Sequence, residues 1–178
     1  YLALQEMATY INVMPGERRS CIGCHEPRRN APRISTARPM AMARPPQALA
    51  PQPGDTGVRM VDFTADIQTI IDKHCIDCHE GEKAKGGLDL LNVTDGKFSR
   101  SYNNLIATDL IRYRGRGVAG NRAVPPLTHG SHLSKLTKQI RMDPCKSNLT
   151  REEFNRIVTW IDANVPYHGF YGKIILQD

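Results

Sequence analysis

The chain carries the pattern Cys-x-x-Cys-His twice, as Cys21, Cys24, His25 and as Cys75, Cys78, His79. Two thiols separated by two residues in one tight turn can reach the two vinyl groups of a single porphyrin. An imidazole on the very next residue is then directed at the iron from the same side. Both copies meet this requirement, which predicts two covalently bound haem c groups. Zinc is one competitor, since four Cys and two His could build a tetrahedral site. The two pairs start 54 residues apart, against roughly 15–20 in a compact zinc ribbon, and a ribbon gives no reason for a His after each pair. Redox dithiols are another competitor. Their usual βαβ setting is not found here.

Each iron takes a second axial ligand or keeps an open position. The non-motif candidates are His74, His129, His132, His168, the methionines, Cys145 and the Tyr hydroxyls. His74 abuts Cys75 and reads as a helix-end histidine near the carbonyl dipole. His129 and His132 stand three apart in "THGSHLSKL". His132 is preferred for the second haem because it begins a helix that can pack over the porphyrin; His129 could serve either haem. For Cys145, a small buried thiol competes with a ligand.

These residues need elements to hold them. "DFTADIQTIIDKHCIDCH" has Phe63, Ile67, Ile70, Ile71 and His74 at helical spacing, so a helix should carry the second motif at its C-terminal end. Around Asp95-Gly96 a small β-hairpin or loop is expected, then a helix from about Ser101 to Ile111. The Gly/Pro/Arg-rich stretch 114–126 must be loop. A helix over Ser131–Met142 should place Leu133, Leu136 and Ile140 on one face. The last helix has the best start signal, a capping box of Thr150 and Glu153. Phe154, Ile157, Val158 and Ile161 follow as its apolar stripe, ending near Val165-Pro166.

Between Glu26 and Gly57 lie seven of the twelve prolines. Such chain is stiff and extended, and cannot be a helix or central strand. It is read as a packed arm rather than a free linker, with Met40, Met42 and Leu49 to bury. The organisation expected is a first haem-binding segment at 1–30, a Pro-rich extended arm or linker at 31–60, and a second cytochrome c-like haem domain at 61–178. The fold class is mainly α, short helices and long loops around two haems.

The totals agree with this reading. Of 178 residues, 6% are aromatic, with one Trp, so another group is expected to fill part of the interior. No apolar run approaches the ~20 residues of a membrane span. The net charge of +6 falls to about +2 with four haem propionates. The arginines scatter without stacking aromatics, so no nucleic-acid partner is expected. Covalent haem is attached outside the cytoplasm, which predicts a periplasmic or other extracytoplasmic location. The start at Tyr1, without Met or an apolar signal block, suggests a processed chain or part of a larger polypeptide.

The order of "PGERRSCIGCHEPR", "RPP", "IDKHCIDCHEG", "GGLDL", "SYNNL", "HGSHLSKL" and "LTREEFNRIVTWIDANVPYHGFYG" resembles the C-terminal dihaem cytochrome c region of hydrazine synthase alpha-subunit-like, planctomycete-type proteins. The motifs alone are generic; the ending and the block spacing are more specific. The resemblance implies two haems. In hydrazine synthase the first is catalytic, ligated by a Tyr just after its motif, with the motif His diverted to zinc. Here Arg29 stands four after His25, and no Tyr occurs between Tyr10 and Tyr102. His25 is therefore expected to be an ordinary proximal ligand. Relatives also carry His after the 131–142 helix, where this chain has Met142 and Cys145, and in the "PGE" turn, where it has Met14. Cys145 and Met14 thereby become candidate iron ligands, as does His168.

The function expected is a dihaem c-type cytochrome module passing single electrons between redox protein partners or other haem domains. The alternative is a haem enzyme acting on a small nitrogen or oxygen species at an open first haem, related to the hydrazine synthase alpha subunit. An electron-transfer cytochrome is favoured over a catalyst.

Overall fold

The computed structural model describes residues 2–3, 14–17, 43–45, 48, 50–52, 54–57, 59–115, 125–142 and 148–169. The first motif (Cys21, Cys24, His25), Cys145 and most of the Pro-rich stretch lie outside these residues.

Asp62 starts the helical run. Its carboxylate accepts from the N–H groups of Thr64 and Ala65 at 3.0 and 3.1 Å, as an N-cap should. A wide π-type turn, Phe63–Ile67, opens directly into helix α1, Gln68–His74. Cys75 closes α1 by donating to Ile71 O at 2.8 Å, and the tight turn Ile76–Cys78 follows. The expected helix is thus present, with the motif just past its end.

The hairpin at Asp95-Gly96 is also present. Strand β1 (Thr94–Asp95) pairs antiparallel with β2 (Phe98–Ser99), and Gly96 supplies the left-handed φ of 70° that a tight turn demands. Ser99 then caps α2, Arg100–Ala107. This helix stops four residues before the expected Ile111. Thr108 turns extended, and Leu110 and Arg112 give their carbonyls to Leu136 and Gly130 instead.

Helix α3 spans Lys135–Met142, starting four residues later than expected. The hydroxyls of Ser131 and Ser134 bond to Asp162 and to Gly130 O at 2.7 and 2.8 Å. Serines that satisfy other groups in this way favour a turn over helix. Helix α4, Arg151–Asp162, has both halves of the capping box: Glu153 N donates to Thr150 Oγ1 (3.2 Å) and Thr150 N to Glu153 Oε2 (2.8 Å). It ends before Val165 because Asn164 and Val165 take positive φ. Val165 is held there by Tyr102 Oη–H donating to its carbonyl at 2.7 Å.

The few aromatic residues are concentrated rather than spread. Phe63, wholly buried, lies 5.1 Å from the Tyr102 ring, 5.2 Å from Trp160 and 5.7 Å from Tyr167. Around them Ile67, Ile70, Ile71, Leu105, Ile111, Ile157 and Ile161 complete one core shared by α1, α2 and α4. Burial holds the Tyr102 hydroxyl neutral, its pKa pushed up to about 12, with Tyr113 and Tyr167 adding to the effect.

At the end of the Pro-rich stretch, Asp55 and Arg59 are tied into this body. Arg156 of α4 donates to Asp55 Oδ1 at 2.7 Å and to Asp66 Oδ1 at 3.1 Å. Arg59 bonds both Asp66 oxygens and Asp55. Two guanidiniums and two carboxylates thus alternate where Asp66 is 4% exposed. Burial opposes its charge, but Arg59, the Asp62 N–H and Arg156 hold the Asp66 pKa below the usual carboxylate range.

Candidate functional site: the Cys75–His79 turn

α1 delivers the motif as its last turn tightens. The N–H of Cys78 and that of His79 both reach Cys75 O, at 3.2 and 3.1 Å, and His79 N also reaches Ile76 O at 3.0 Å. Cys75, Cys78 and His79 therefore sit on one compact turn. Neither thiol is in a disulfide; Cys75 is half-buried and Cys78 exposed.

The imidazole of His79 is oriented from behind. Its Nδ1 lies 3.0 Å from Leu88 O. A carbonyl oxygen can only accept, so Nδ1 carries the proton and Nε2 keeps its lone pair. This is the arrangement a metal-ligating histidine requires, with the outer nitrogen anchored and the inner one free. The backbone repeats the clamp, as Leu90 N donates to His79 O at 2.8 Å. Gly86 and Gly87, at φ 65° and 68°, turn the chain back so that Leu88 reaches the ring; residues with a side chain resist this conformation. Asp89 fixes the return segment, accepting from Gly81 N, Leu91 N and Arg100 Nη1 at 3.0–3.1 Å.

His74, one residue before the first thiol, is not offered to a metal. Its Nε2 lies 3.1 Å from Glu153 Oε2, while Lys73 Nζ donates to Glu153 Oε1 at 2.8 Å. The helix-end reading of His74 fits, with a carboxylate added. Burial opposes ionisation of Glu153, but bonds from Lys73, Thr150 and His74 lower its pKa to about 2.

The other candidates are placed as follows. His129 is half-buried in the loop ahead of α3. His132 is exposed, three residues on. Ser131, between them, donates through N and Oγ to Asp162 at 2.7 Å each. Asp162 also accepts from Ala3 N at 3.0 Å. His129 Nδ1 lies 3.1 Å from Thr128 Oγ1. Burial lowers the His129 pKa, and the nearby Arg112 and Arg114 lower it further. Leu127 holds φ at 64°, a strain of about 1–3 kcal/mol for a non-glycine residue. Met14 is 70% exposed in the turn closed by Glu17 N to Met14 O at 2.9 Å. His168 stacks edge-on to Tyr167 at 4.7 Å.

The roles of Leu88, Asp89, Thr128 and Asp162 were missed from sequence. The Gly-Gly-Leu-Asp-Leu run carried a signal for the first two, since paired glycines mark a reversal. Thr128 and Asp162 carried none. Among the described residues no group of three His, Cys, Asp or Glu could hold a metal ion by itself. No helix among them is long and apolar enough to cross a membrane.

No family model matches the chain, and no solved structure matches it. The chain is 31% identical over 144 residues to the hydrazine synthase subunit alpha of Kuenenia stuttgartiensis. The match takes in 67% of this chain and 17% of that relative, which supports a related family while leaving most of the relative's length without a counterpart here.

Proposed function

We propose that the chain is a dihaem c-type cytochrome module that moves single electrons between redox partners. The observation that carries this is His79, with Nδ1 fixed on Leu88 O, on one turn with two thiols that are not joined in a disulfide. Cys75 and Cys78 would each add S–H across a vinyl group, giving two thioethers with no leaving group. Cys21, Cys24 and His25 would hold a second haem in the same manner. When bound, such a group supplies a Fe(III)/Fe(II) couple that accepts one electron and returns it. The protein's part is to hold the His79 Nδ1–H on its acceptor, Leu88 O, which turns Nε2 toward the metal side. Asp89 and the Gly-Gly turn hold that geometry between oxidation states. His132, His129, Cys145 and Met14 remain the proposed sixth ligands, and a periplasmic or equivalent compartment the proposed location.

Intact mass and absorption spectra of the oxidised and reduced protein test the reading. Two added haem masses and low-spin spectra are expected; a chain expressed with a haem-attachment system yet lacking haem mass would sink it.

A second reading draws on the named relative. A haem enzyme acting on a small nitrogen or oxygen species at the first haem would show a high-spin component that binds CO or nitrite. Arg29, where hydrazine synthase has its ligating Tyr, weighs against this reading. A spectrum unchanged by CO and nitrite would remove it.

A further inference from the structure

We infer that His129 is an iron ligand of this chain and that Thr128 is its positioning residue. The inference rests on the dihaem reading and sharpens it. Five of the six histidines lie among the described residues, and their rings are held differently. His74 has Nε2 engaged with Glu153. His132 is exposed and its ring has no hydrogen-bond partner among the described residues; His168 meets the Tyr167 ring. Among the described histidines, His79 and His129 alone share one pattern, in which Nδ1 is bonded and no described residue bonds Nε2.

For His129 the proton can be located by elimination. The Thr128 hydroxyl has one hydrogen, and it donates to Pro125 O at 2.6 Å. Toward His129 it can therefore only accept, so Nδ1 is the donor at 3.1 Å. Nε2 is left with its lone pair, the state in which imidazole binds a metal. Ligation then moves no proton, since Nδ1–H stays on Thr128.

The loop is built to hold this ring. Leu127 accepts a left-handed backbone, which lets Thr128 fold back on Pro125. Gly130 N donates to Arg112 O at 2.8 Å, and Gly130 O accepts from the wholly buried Ser134 Oγ at 2.8 Å. Ser131, also wholly buried, is fixed twice to Asp162. Strain and buried polar bonds on both sides of one exposed-capable ring point to a ligand role rather than a surface histidine. This favours His129 over His132, which was the residue preferred from the sequence.

The test uses the haem-loaded chain, with mass spectrometry for haem count and electron paramagnetic resonance for spin state. His129→Ala should retain both haems and convert one from low to high spin, with added imidazole restoring it. His132→Ala should leave the spectrum unchanged. Thr128→Val should keep the low-spin signal but let exogenous imidazole displace the ligand at about tenfold lower concentration, with Thr128→Ser restoring the original value. Two haems with an unaltered spectrum in His129→Ala would overturn this inference alone. A chain without haem mass would overturn the dihaem reading as well.

Discussion

The two ends of α4 each use one carboxylate to fasten a histidine-bearing segment, in different surroundings. At the start, Glu153 takes Lys73 and His74, just ahead of Cys75. Lys73 is 61% exposed, so that contact is open to water. At the finish, Asp162 takes Ser131 twice and Ala3 once, and Ser131 is wholly buried. Charge pairing in water is worth little and is screened by salt. Buried hydrogen bonds cost much when one partner is lost. The motif end should therefore yield to pH and salt, and the loop end to mutation.

The helix between them sets the scale. Trp160 is wholly buried against Phe63 and donates Nε1–H to Pro166 O at 2.9 Å. Trp160→Ala should cost about 3–5 kcal/mol in denaturant unfolding and loosen both ends together. Asp162→Ala should come next, at about 2–3 kcal/mol, because the Ser131 N–H and hydroxyl lose their acceptor. If it cost no more than an exposed substitution, the contrast between the ends would collapse.

Thr150→Ala removes half of the capping box, and about 1 kcal/mol is expected. The smallest effect is pH-dependent. The Glu153 pKa falls from an ordinary 4.5 to about 2 on folding, so its stabilisation is complete above pH 4.5 and is lost as pH falls toward 2. In Glu153→Gln this part of the acid transition should vanish, leaving the parts due to Asp55, Asp66 and Asp89. Added salt should shrink the Glu153 contribution while leaving the Asp162→Ala difference unchanged.

Much of the local structure was legible because it is written in neighbouring residues. The capping box needs only Thr150 and Glu153, three apart, and the hairpin only Asp95-Gly96. The end of α1 at the motif follows from an apolar stripe that stops at His74. Helix lengths were less legible. α2 and α3 are shorter than their apolar patterns suggest, because Leu110 O accepts from Leu136 N, Arg112 bonds Gly130 and Ser134, and Ser131 bonds Asp162 across the fold. The Asp55–Arg59–Asp66–Arg156 cluster joins residues 90 and 101 positions apart, and no periodicity announces such a pairing.

By itself the sequence determined that two thiols and an imidazole share one turn, since Cys-x-x-Cys-His places three reactive groups within five residues of one chain. It also determined the caps and turns, which are decided by side chains reaching their own backbone. Only the tertiary structure decided which histidine nitrogens are free. Leu88 lies nine residues beyond His79, and Asp162 lies 31 beyond Ser131. A tautomer depends on which acceptor the fold brings to the ring, and that is a matter of where distant segments come to rest.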